Sequence, residues 1–127
     1  MTDHKFCTSH AKDAEWKPGL RGFFEYRDLG IGEATNGAFH AHVIRMSDQA
    51  GDGLRHTGQH QHMLDFQMFY VLKGWIKFTY EGHGEVTFNA GDCCLQPPGI
   101  VHDEIGCSDD VELIEITSPA EFETKKV

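Results

Sequence analysis

The chain has 127 residues, enough for one domain that buries roughly two thirds of its unfolded surface. Its hydrophobic fraction of 39% is too high for a disordered chain, and no apolar run approaches the ~20 residues that span a bilayer. Eleven Lys and Arg against 20 Asp and Glu give a net charge of −9, which disfavours nucleic acid and anionic membranes as partners.

In chain order, residues 1–20 read as a polar N-terminal arm punctuated by Trp16-Lys17-Pro18-Gly19, and residues 21–127 as the folded domain. Met1 to His10 has no apolar signal-peptide centre, so the expected location is the cytoplasm. Phe23 to Asp28 reads as a strand, Leu29 to Gly37 as turns, and Ala38 to Met46 as the next strand. On that strand Phe39, Ala41 and Val43 share one face, and His40, His42 and Ile44 the other. Ser47 to Gly53 is a polar loop. Asp65 to Leu72 and Trp75 to Tyr80 read as a hairpin about Lys73-Gly74, with Glu85 to Asn89 following as a short strand. Pro97-Pro98-Gly99 argues for a loop, Val111 to Thr117 alternates like a strand, and Pro119 to Lys126 reads as a short helix. Short strands separated by turn residues through most of the chain predict an all-β barrel or sandwich.

His60 and His62 lie two apart, so on a strand both imidazoles face the same side. Gln67 and His102 can reach the same point from neighbouring strands. Three imidazoles and an amide oxygen suit a divalent first-row metal such as Fe, Mn, Ni or Zn. The earlier pair, His40 and His42, has no such punctuation around it and reads as a half-buried strand or a subunit contact, with a metal or substrate role as the lesser reading. His56 reads as a loop residue beside Gly58 that can touch a substrate.

The segments around these histidines resemble the two motifs of the cupin superfamily. The first motif, Gly-x5-His-x-His-x3-4-Glu-x6-Gly, is matched by His60-x-His62-x4-Gln67-x6-Gly74. The second, Gly-x5-Pro-x-Gly-x2-His-x3-Asn, is matched by Gly91-x5-Pro97-x-Gly99-x2-His102. Leu54 stands where the opening Gly is expected, Gln67 replaces the usual Glu, and Gly106 replaces the closing Asn. The resemblance implies a small antiparallel β-barrel of the double-stranded β-helix, or jelly-roll, type. It also implies a homodimer and a metal held by His60, His62, Gln67 and His102; the alternative for Gln67 is a hydrogen bond to a bound water or to a ligand imidazole.

For function, the resemblance implies a metal-dependent protein acting on a small anionic or enolisable organic molecule, with an Fe(II) dioxygenase as one form. The alternatives are an isomerase, lyase or hydrolase that uses the metal as a Lewis acid, and a cupin that binds a metal or small ligand without turnover. With Gln in place of Glu, the ligand set leaves the full 2+ charge of the metal uncompensated. Tyr80, His56 and Asp65 are the candidate general bases, and Asp65 is also a candidate for the missing carboxylate ligand. Phe69 and Val71, with Ile76, Phe78 and Tyr80, are expected to point inward and form an apolar pocket. Of the four cysteines, adjacent Cys93 and Cys94 should face opposite sides of a strand; both read as small packing residues, with a redox-active thiol near the metal as the lesser reading.

Overall fold

Alternation along the strands sorts the chain into an inner and an outer face. The structure, a computed structural model, describes residues 3–19, 23–47 and 58–127. Its strands are β1 (Lys17–Pro18), β2 (Phe24–Asp28), β3 (His40–Met46), β4 (His60–Met63), β5 (Phe66–Lys73), β6 (Trp75–Tyr80), β7 (Gly84–Asn89), β8 (Cys93–Leu95), β9 (His102–Cys107), β10 (Glu112–Ser118) and β11 (Glu123–Lys126). They form two antiparallel sheets, in the orders β1-β2-β3-β10-β5-β8 and β11-β4-β9-β6-β7. The sheets face each other as a jelly roll, but strand pairing among the described residues does not close them into a continuous barrel.

The period of two is clearest on β5. Gln67, Phe69 and Val71 are buried, whereas Phe66, Tyr70 and Leu72 between them are exposed. The inward set meets Phe24, Ile44, Ile76, Phe78, Phe88 and Leu113 in one core between the sheets. Phe69 packs edge-on to Phe88 with ring centroids 5.0 Å apart, and 5.3 Å from Phe78. Each such side chain contributes roughly 1.5–3 kcal/mol by leaving water. The expected inward set of Phe69, Val71, Ile76, Phe78 and Tyr80 is therefore the observed one. Cys93 is exposed, and Cys94 turns inward against the core.

Three local expectations are corrected. Lys73-Gly74 does not close a hairpin, because β5 and β6 lie in different sheets and the chain crosses between them there. Gly74 has a φ of +68°, and a Cβ at that position would fall 2.0 Å from Ser108 Oγ, so only glycine fits the crossing. The segment 119–126 is not a helix. It ends in β11, paired to β4 from Glu123↔Met63 to Lys126↔His60. Strand pairing along the β4 edge outweighs the helix preference of its Glu and Lys residues, and those lysines also protect the sheet edge. Third, Leu29 to Gly37 is more than turns, because it contains a single helical turn, Ile31–Ala34. His56 and most of the Ser47–Gly53 loop lie outside the described residues. Among the described residues, no helix is long and apolar enough to cross a membrane.

Candidate metal centre

β4 and β9 meet at a single register pair, His60↔His102. That pairing, with His62 two residues along β4, brings three imidazoles from two strands to one point. Their ring centroids are 4.3 to 4.9 Å apart, and one nitrogen from each ring lies within 4.8 Å of the others. An ion about 2.1 Å from each nitrogen would fit between them after small ring movements.

The backbone and β11 set the orientation of the rings. His60 Nδ1 lies 2.7 Å from the Gly58 carbonyl, and His102 Nδ1 lies 3.0 Å from the Ile100 carbonyl. In both cases the acceptor is two residues upstream. A carbonyl only accepts, so both rings carry their proton on Nδ1 and keep the Nε2 lone pair for a metal. His62 Nδ1 is held by Thr124 Oγ1 at 2.9 Å, and Phe122 stands edge-on to the His62 ring. The C-terminal strand therefore completes the site, a role the helix expectation for that segment had hidden.

Electrostatics favour the neutral, metal-binding form. Burial, then the neighbouring His102 and His60, lowers the His62 pKa from 6.5 to about 4. Burial also lowers His102. The sign of the linkage follows: unfolded His62 takes up a proton near pH 6.5 that the folded ring refuses until about pH 4. Stability present above pH 6.5 should therefore be lost as the pH falls through that window. In melts with a chelator present, the drop in Tm from pH 6.5 to pH 5 should be smaller for His62→Gln than for the natural chain. An equal drop would show that the folded ring is already charged.

These histidines line a cavity of about 400 Å³ whose apolar wall includes Phe24, Ile44, Phe69, Ile76, Phe78 and Leu113. Gln67 lines the same cavity, only 4% exposed. Its Nε2 donates to Glu115 Oε2 at 2.9 Å, which leaves the lone pairs of the amide oxygen to face a metal or a hydrogen-bond donor. Glu115 sits on the inner face of β10, and its Oε1 lies 2.8 Å from His42 Nε2. Burial pushes the Glu115 carboxyl up, but the hydrogen bond and charge of His42, with the Gln67 amide and His62, outweigh it, and its pKa is lowered. Glu115 was not expected from the sequence. Its signal was parity: it shares a strand face with buried Leu113 and Thr117, so a charged residue there must face inward.

The other candidates are placed differently. Asp65 is exposed in the β4–β5 turn and is not part of the cavity wall. The Tyr80 hydroxyl receives Gln96 Nε2 at 2.7 Å and the Cys94 thiol at 3.6 Å; burial raises its pKa far above the ordinary range, which makes it a poor base. Burial also raises the Cys94 thiol, against the redox-active reading. His42 belongs to the cavity wall, so the first His-x-His pair is closer to the site than its sequence context suggests.

Residues 49–117 match the cupin domain family, and the chain belongs to it. Solved structures agree on the fold. KdgF from Halomonas sp. is 18% identical with a TM-score of 0.73, over 92% of this chain and 96% of that one. An RmlC-like cupin from Shewanella frigidimarina is 22% identical with a TM-score of 0.69, over 94% and 96%. The polyketide cyclase RemF from Streptomyces resistomycificus is 18% identical with a TM-score of 0.73, over 97% and 86%. A search of curated proteins finds no match in sequence.

Proposed function

We propose that this cupin is a metal-dependent enzyme acting on a small enolisable carbonyl compound, with the ion held by His60, His62, His102 and the Gln67 amide oxygen. A bound divalent ion would act as a Lewis acid toward a carbonyl oxygen. The observation that carries the reading is the Glu115 carboxylate, held at both oxygens in the same cavity as the three imidazoles. The ionised Glu115 carboxylate can take a proton from the α-carbon of a bound ketone and return it, as a weak base because His42 and Gln67 lower its pKa. It also returns a negative charge one hydrogen bond behind Gln67. That argues for a neutral enolisable substrate over an anion and revises the uncompensated charge inferred from the ligand set alone. The apolar wall would bind the body of the molecule and exclude water.

Iron-dependent oxygen chemistry is the second reading. It is favoured by a ligand set of neutral donors with open positions. Elemental analysis of the purified protein, followed by NMR of α-hydrogen exchange into D2O with a panel of ketones and diketones, tests the first. We expect exchange that needs metal and is lost in Glu115→Gln. Oxygen uptake with the same panel, without metal-dependent exchange, would replace the first reading with the second.

A further inference from the structure

The hydrogen bonds at Glu115 do not stop at His42. His42 Nδ1 lies 3.0 Å from His40 Nε2, with the two rings edge-on at 82°. His42 also lines two cavities. One holds the three imidazoles; the other, of about 370 Å³, is walled by Ser9, Asp13 and Lys17 of the N-terminal segment and by Tyr26, Arg27 and His40. A row of two imidazoles thus runs from the carboxylate in the first cavity to the second.

The row has a direction. An ionised carboxylate only accepts, so His42 must donate through Nε2. When His42 is neutral its lone pair is on Nδ1, and in that state His40 donates through its own Nε2. That leaves the lone pair of His40 on Nδ1, at the far end. Burial, then the neighbouring His42, lowers the His40 pKa, while Asp28 on β2 and Glu115 on β10 work in the other direction. Tyr26 on β2 packs on the His42 ring at 5.1 Å and adds no charge there. Both donors in the row therefore point toward Glu115.

We propose that His40 and His42 are a proton relay that supplies Glu115 from the second cavity. The proposal rests on the reading that Glu115 exchanges protons with a substrate, and its geometry rests on two residues that are not metal ligands. A proton arriving from solvent binds His40 Nδ1. His40 releases its Nε2 proton to His42 Nδ1, and His42 releases its Nε2 proton to Glu115 Oε1. One proton enters and one arrives, with no change of oxidation state. Both rings are left as the opposite tautomers, and the reverse passage restores them.

The test needs no substrate. In 15N-labelled protein with added zinc, long-range ring correlations should identify both His40 and His42 as Nε2–H tautomers. Exchange of the His42 Nε2 proton with water, followed by saturation transfer, should be at least about tenfold slower in His40→Phe. His40→Gln can still donate a hydrogen bond to His42 Nδ1 but cannot pass a proton, so it should be slow as well. It also serves as the probe should the Phe variant fail to fold. Wild-type exchange in either variant, or an Nδ1–H tautomer at His42, would overturn the relay. The measurement stands apart from the ketone-exchange experiment. A failed relay leaves metal-dependent chemistry at Glu115 untouched, and an inactive site leaves the tautomers to be read.

Discussion

Replacing His62 with alanine is expected to lower metal affinity by about 100- to 1000-fold. Apparent binding energies of roughly 10–16 kcal/mol across four ligands in structural zinc sites amount to about 3 kcal/mol per ligand, or two to three decades. His62 is the informative position because it is only half-buried, whereas His60 and His102 are 8% and 3% exposed. Its truncation leaves the core intact and removes one of three converging nitrogens. The variant should keep the natural chain's Tm in chelator while losing the rise in Tm that added metal produces. His102→Ala should lose metal too, with a further loss of stability from the void it leaves. Competition titration against a chromogenic chelator reads the affinities. If His62→Ala and His102→Ala both retain the natural chain's affinity, the ion sits elsewhere.

The face shared by the β4 histidines was legible because its information is local. Their meeting with His102 depends on the β4–β9 pairing, which the resemblance to the cupin motifs implied, whereas the i, i+2 spacing of His60 and His62 alone sets their shared strand face. The inward set from Gln67 to Tyr80 was legible for the same reason. Information that depended on pairing between distant strands was not. Nothing near Lys73-Gly74 says that β5 will pair with β10 and β8 while β6 pairs with β7 and β9. Local preference for a helix at 119–126 is real but weak, and the pairing with β4 decides the outcome. Glu115 and His42 fall between these cases. Their inward parity can be read from the strand, but their partnership comes from the β3–β10 register, which sets Glu115 opposite His42 across 73 residues of sequence.

Exchanging Gln67 for Glu should have opposite consequences without and with metal. Without metal, the substitution removes the Nε2 donor to Glu115 and sets two carboxylates where an amide and a carboxylate lie 2.9 Å apart. Like charges at that separation cannot both stay ionised in a buried setting, so one is expected to hold a proton. Losing a hydrogen bond to a charged group costs about 1.5–3 kcal/mol, so the Tm in chelator should fall by several degrees. With metal, the outcome depends on which Gln67 atom matters. If its oxygen is a ligand, the carboxylate that Gln67→Glu introduces is a stronger donor in the same place. A bound ion would then offset part of the added negative charge, and added metal should raise Tm more in the variant than in the natural chain. The added negative charge should also weaken azide binding at matched metal loading. If Gln67 serves only to hold Glu115, metal should restore no more stability to the variant than to the natural chain, and azide affinity should be unchanged. Melts of both proteins in chelator and in zinc, with an azide titration of each loaded form, separate the cases. An unchanged azide affinity together with an equal metal-induced rise in Tm would remove Gln67 from the ligand set and leave the three imidazoles as the whole of the protein's contribution.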